Sequence, residues 1–200
     1  MEISYFGDRF ITLSQKNLIV ACDATGKKKV KAHIATFSTP ALLDEDAVEI
    51  VSPVESEQPF IIDTPGGYEV KGVLVEGYAS FADDKKGEEK GYNTIFFIQM
   101  GNMNICHLGD LGDDLESSVL DELESIDILF IPIASLGAKK AAKIIGSIEP
   151  RVIIPIMTDA ALTAAFAKEI GLPPQEVESV KIEPKDLPQE GQLLYVLQEG

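Results

Sequence analysis

Short apolar runs punctuated by turn residues fill the first half of the chain. Residues 3–6, 10–14, 18–21, 33–37, 48–51, 60–63, 68–70, 73–79, 93–100 and 103–107 are β-prone, and Gly, Asp, Asn or Pro separate most of them. That pattern predicts strands joined by tight turns. Gly101-Asn102 between the last two runs predicts a two-residue hairpin, because both residues accept positive φ. Pro65-Gly66-Gly67-Tyr68 predicts another turn, with glycines placed for positive φ or for close backbone approach.

The period changes in the second half. Leu115, Val119, Leu123 and Ile126 recur at helical spacing, with Asp113 or Asp114 available as the N-cap. Residues 128–133 and 152–156 are continuous apolar runs, as expected of strands covered on both faces. Helices are predicted over 139–147 and 160–170, the latter with Asp159 at its start and Gly171 at its end. After Pro173-Pro174 a last strand is expected over 192–197. Residues 82–91 (ADDKKGEEKG) read as a charged hairpin tip or a flexible loop. Hairpin strands followed by β-α-β-α-β predict a layered α/β or α+β fold with a mixed sheet. No compositional break marks a linker, so residues 1–200 read as one domain.

Charge narrows the function classes. With 17 Lys and Arg against 33 Asp and Glu, the net charge of −16 repels phosphate backbones and anionic lipid. Nucleic-acid binding and membrane docking are therefore not expected. No apolar run reaches the roughly 18 residues of a membrane helix. Residues 1–5 lack the basic and apolar regions of a signal peptide, so a cytoplasmic protein is expected. Cys22 and Cys106 both sit in apolar runs and read as buried free thiols. Residues 24–28 (ATGKK) resemble a phosphate loop only faintly, because Ala21 and Lys28 stand where that motif needs Gly and Ser or Thr. Lys27, Lys28, Lys29 and Lys31 form the basic cluster, read as a hairpin rim or a local partner contact.

One stretch carries candidate chemistry. Residues 106–113 (CHLGDLGD) run from the end of an apolar strand into a glycine-freed loop, the place where α/β folds put their sites. Asp110 could ligate a metal, with His107 as a second ligand or as the group holding Asp110. On local sequence alone the favoured reading is that His107 is a hydrogen-bonded core histidine and Asp110 a turn residue. Neighbours on a strand point to opposite faces, which argues against a Cys106–His107 nucleophile pair. A Gly-x-Ser-x-Gly nucleophile elbow is missing.

Taken together, these segments resemble the metallo-β-lactamase fold superfamily, in particular its small bacterial and archaeal branch of Zn-dependent hydrolases. The resemblance rests on residues 3–7 (ISYFG), 65–72 (PGGYEVKG), 91–96 (GYNTIF), 105–112 (ICHLGDLG) and the late strands at 128–132 and 152–155. It covers almost the whole chain and implies an αββα sandwich, two mixed sheets with helices outside. Active members hold one or two zinc ions that lower the pKa of a bound water.

Their ligand motif departs sharply here. The first cluster, His-x-His-x-Asp-His, falls on Thr39, Ala41, Leu43 and Asp44. The next family histidine falls on Ala82 and the last on Met157, while the Gly-Asp ligand persists as Asp110. Asp8 stands where the family often has His. The chain has two histidines, His33 and His107, so no shift of alignment restores the set. The expectation is a fold whose zinc cage is lost and which serves as a non-catalytic binding or assembly module. Such a module would self-associate or bind another protein. No cofactor is expected, or at most a weakly held Zn²⁺, Mn²⁺ or Mg²⁺ at Asp44, Asp110, His107 and Asp8. The alternative is a metal-dependent hydrolase with a reduced site around Asp110, His107 and Asp44. Asp110 and His107 are then its catalytic candidates, acting on a small-molecule substrate that the sequence does not name.

Overall fold

The computed structural model describes residues 1–43 and 49–200. Its elements are, in chain order, β1 (Glu2–Tyr5), β2 (Ile11–Gln15), β3 (Leu18–Cys22), β4 (Val30–Lys31), β5 (Ile34–Thr36), β6 (Val51–Ser52), β7 (Phe60–Ile62), β8 (Gly66–Val70), β9 (Val73–Phe81), β10 (Tyr92–Met100), β11 (Met103–His107), α1 (Ser117–Glu122), β12 (Ile128–Pro132), α2 (Ile133–Ile148), β13 (Val152–Ile156), α3 (Ala160–Ile170), β14 (Pro174–Val177), β15 (Ser179–Lys181) and β16 (Leu193–Leu197). Two mixed sheets result. One runs β15-β1-β2-β3-β5-β7 and the other β14-β16-β13-β12-β11-β10-β9-β8, while β4 and β6 pair beside them.

Side-chain alternation builds three apolar layers. Ile3, Leu13, Val20 and Ile34 of the first sheet meet Phe96, Ile105, Phe130 and Ile154 of the second between the sheets. The opposite face of the second sheet presents Ile95, Leu129, Ile131 and Ile153 to α1, α2 and α3. The outer face of the first sheet packs Phe10, Ala21, Ala35 and Phe37 under Ile50, Val51, Leu42 and Leu43. β12 is buried at every position because Ile128 and Phe130 face the first sheet while Leu129 and Ile131 face the helices. A strand covered on both faces shows no alternation in its sequence. Cys22 lies between the sheets and Cys106 under the helices; both are buried free thiols.

Several expectations hold in detail. The β10–β11 hairpin closes through Gly101-Asn102, with Met100 opposite Met103. Asp159 caps α3 by accepting the Leu162 N–H at 2.8 Å, and Gly171 ends it in the left-handed region.

Others are corrected. Residues 49–50 are helical and the strand near them is β6, while residue 48 of the expected run lies outside the described residues. The residue at the N-cap of α1 is Glu116, without a side-chain cap bond; Asp113 and Asp114 instead pair with Lys140 and Lys143. Gly66 takes positive φ, but it opens β8, and the tight turn of the β8–β9 hairpin is Lys71-Gly72. α2 starts at Ile133, ahead of the expected helix over 139–147, and is kinked at Gly137, which takes positive φ. The loop at 82–91 is organised around Asp83, whose carboxylate accepts the N–H groups of Lys85, Gly87, Glu89 and Lys90 at 2.6–3.1 Å. β14 and β15 are unforeseen edge strands, β15 closing the first sheet against β1.

Candidate functional site

The C-terminal ends of β3, β5, β11, β12 and β13 gather at one end of the sandwich, and the β1–β2 turn folds over them. This convergence brings Asp8, Arg9, Asp23, His107, Asp110, Ser135 and Met157 within one polar cluster. Each is held by a backbone feature that its sequence neighbours dictate.

The 107–112 loop is clamped from three sides. Buried Asn93 donates from Nδ2 to Ser80 Oγ at 2.8 Å and to the Leu108 carbonyl at 2.9 Å, and its Oδ1 accepts the Asp110 N–H at 2.8 Å. Gly109 takes φ +62°, and a Cβ there would overlap Asn93 Oδ1 and Ser38. A Cβ on Gly112 would overlap the Ala82 carbonyl. Both glycines of the Gly-Asp-Leu-Gly run are thus required by contact.

His107 is fully buried between the sheets, its ring 5.8 Å from that of Phe130. Its Nε2 lies 3.1 Å from the Arg9 carbonyl, and its Nδ1 accepts the Gly109 N–H at 3.2 Å. A carbonyl only accepts, so Nε2 carries the proton and the ring is neutral. Burial holds its pKa below the ordinary histidine value, against the pull of the Asp23 carboxylate 4.0 Å away. Both ring nitrogens serve backbone groups. One ring nitrogen of His33 also serves the backbone, its Nδ1 accepting the Ile19 N–H.

Asp110 is engaged on both oxygens. Ser135 Oγ donates to Oδ1, and Arg9 Nη1 lies 3.5 Å from Oδ2. The same guanidinium reaches Asp8 Oδ2 with Nη2 at 3.4 Å. Asp8 is left-handed, and its carbonyl accepts the Met157 N–H at 2.7 Å and the Tyr5 hydroxyl at 3.0 Å. Ser135 Oγ lies 3.8 Å from Met157 Sδ. The groups form a closed ring: Asp8, Arg9, Asp110, Ser135, Met157 and back to Asp8 through the backbone. On the first sheet, buried Asp23 holds Ser38 by its N–H and its hydroxyl, fixing the chain just before Thr39.

Of the residues expected at the site, Asp8, Asp110 and Met157 come together, with His107 behind them. Asp44 lies outside the described residues. Among the described residues, no three His, Cys, Asp or Glu side chains converge as a metal-holding group. Arg9, Asp23, Ser38, Asn93 and Ser135 were not anticipated. The available signals were a charged pair set in a turn between two apolar strands for Arg9, and an Asp closing an apolar run for Asp23. A cleft of about 670 Å³ opens beside the ring, bordered by Tyr5, Asp8, Met157, Asp159, Glu176 and Glu199, and none of its lining residues is Lys or Arg.

An αββα sandwich with its polar cluster at the strand ends defines a metallo-β-lactamase-like fold. The family model for the beta-lactamase superfamily domain matches residues 2–157, and the chain belongs to that family. A UPF0173 metal-dependent hydrolase of Methanosarcina mazei is 28% identical over 118 residues, 54% of this chain and 51% of that protein, so the match spans about half of the relative. The structure of a proposed Zn-dependent hydrolase of the metallo-β-lactamase superfamily from Thermotoga maritima aligns with a TM-score of 0.82 at 24% identity, covering 98% of each chain. A proposed metal-dependent hydrolase from Parabacteroides distasonis aligns with a TM-score of 0.71 at 13% identity, covering 98% of this chain and 93% of the other. At these identities the structural likeness is one of fold. Among the described residues no helix is long and apolar enough to cross a membrane.

Proposed function

We propose that this chain is a metallo-β-lactamase-fold protein that works as a binding or assembly module without a metal-activated water. The observation that carries this reading is Asp110, whose two carboxylate oxygens face Ser135 and Arg9 inside the protein. A metal held by Asp110 would meet the Arg9 guanidinium there, and like charges disfavour that approach.

The donor chemistry around it points the same way. Zinc in this fold takes imidazole nitrogens and carboxylate oxygens. Ala41, Leu43 and Ala82 offer no donor, Met157 offers a thioether, and His107 has both nitrogens on backbone groups. The residues do not fit the family's metal centre, and no hydrolytic step is derived through one. A partner that docked at the cleft beside Asp8 would meet the carboxylates of Asp8, Asp159, Glu176 and Glu199.

Elemental analysis of purified protein tests the reading, together with phosphodiesterase, lactonase and β-lactamase assays in added Zn²⁺ or Mn²⁺. The expected result is well under one equivalent of metal and no turnover. One or two tightly held zinc ions per chain, or metal-dependent turnover lost in Asp110→Asn, would overturn it. Light scattering on the eluted peak then reports self-association directly.

A further inference from the structure

We infer that Arg9 is the resident cation of this site, an internal guanidinium holding together two carboxylates that would otherwise need a bound divalent ion. The inference rests on the metal-free reading above and deepens it.

Asp8 and Asp110 come from different elements, the β1–β2 turn and the β11 loop, and both turn Oδ2 toward one guanidinium, at 3.4 and 3.5 Å. Arg9 is 9% exposed and the Asp110 side chain 15% exposed, so water screens that contact less than a surface pair, whereas the Asp8 side chain is 44% exposed and its contact is screened more. Two carboxylates brought together without a cation repel each other. The fork shape of arginine suits the task, since Nη1 and Nη2 each take one carboxylate, while a lysine offers a single point charge. Its Nε–H has no partner among the described residues. The side chain is therefore placed by its two carboxylates and not by a fuller hydrogen-bond network.

The backbone that carries Arg9 is itself pinned by site residues. The Arg9 carbonyl bonds His107, and the Asp8 carbonyl takes the Met157 N–H. Arg9 thus sits among Asp8, Asp110 and Met157, three positions that the family ligand pattern touches. A guanidinium keeps its charge across the working pH range and no chelator removes it. Truncation of Arg9 would leave Asp8 and Asp110 as a bare carboxylate pair, a donor set suited to Mn²⁺ or Mg²⁺.

Thermal melting of the wild type, Arg9→Ala, Asp110→Asn and the double variant tests this, each in EDTA and in millimolar MnCl₂. Wild type should melt at the same temperature in both. Arg9→Ala should melt about 5–10 °C lower in EDTA and recover part of that in Mn²⁺. The double variant should lose clearly less than the two single losses combined, and should ignore Mn²⁺, because the repelling carboxylate pair is gone and only the half-exposed Asp8 carboxylate remains. Additive losses, an Arg9→Ala protein that melts with wild type, or one blind to Mn²⁺, would each overturn the inference. If Arg9→Ala does not fold, Arg9→Ala/Asp110→Asn decides: regained folding supports the charge role, and continued failure refutes it. Zinc found in the wild type would instead sink the functional reading, so the two failures are distinguishable.

Discussion

Asp23 accepts both the N–H and the hydroxyl of Ser38, at 2.6 and 2.5 Å, and is itself fully buried. It joins the end of β3 to the chain leaving β5, where the family's first ligand cluster would begin. Asp23→Asn keeps the shape but replaces a double acceptor by an amide. We expect a loss of about 1.5–3 kcal/mol in urea denaturation, and a smaller loss for Ser38→Ala, which keeps the N–H bond. Equal midpoints for Asp23→Asn and wild type would show that this link carries no stability.

His107 makes stability depend on pH. Burial lowers its folded-state pKa, so the unfolded chain binds a proton that the folded chain refuses. Stability should therefore fall as pH drops through the ordinary histidine value near 6.5, by at most about 1.4 kcal/mol per pH unit, and level off below the folded value. Denaturation midpoints between pH 7.5 and 5 would show the slope. His107→Gln should flatten it, and an unchanged slope in that variant would assign the effect to other groups.

The buried strands admit a sharper test. Ile131→Asp places a charge between β12 and the helices, where no partner exists among the described residues, at about 3–5 kcal/mol. Phe60→Ser, at a position 47% exposed, should change stability by under about 1 kcal/mol. If the two variants melted together, the layer order described above would be wrong.

The Asp83 loop should be ordered by its carboxylate. Four N–H bonds, the one from Lys90 foremost, hold Asp83 below the usual carboxylate pKa. Its contribution is present at neutral pH and is lost as pH falls below the ordinary carboxylate value and through the lower folded one. Hydrogen exchange at Lys85, Gly87, Glu89 and Lys90 should be slow in wild type and fast in Asp83→Ala, with the core amides unchanged. Fast exchange in wild type would contradict the arrangement.

Legibility in the sequence followed the range of the interactions. β12 and β13 were readable because five consecutive buried positions leave one physical option, and α3 because Asp159 and Gly171 mark both ends. β14 and β15 were not, since Gln175, Glu176, Ser179 and Lys181 give these edge strands little apolar signature, and the partner of β15 is β1, at the other end of the chain. Asp83 looked like one charge among many because its partners are backbone amides, which composition does not display. At the site, Ala41, Leu43 and Ala82 could be read one by one against the ligand pattern of the resembled family. The contacts of Arg9 could not: nothing near it in the sequence says that it reaches Asp110.

The two thiols give the fold a pair of internal clocks. Burial pushes Cys22 up to about 12 and raises Cys106 as well, so neither supplies thiolate at neutral pH while its layer is closed. Alkylation must wait for opening, and its rate measures the free energy of that opening. Cys106 reports separation of the helices from the second sheet, whereas Cys22 reports separation of the sheets themselves. Comparing the two rates in one sample would tell which layer of the sandwich lets go first.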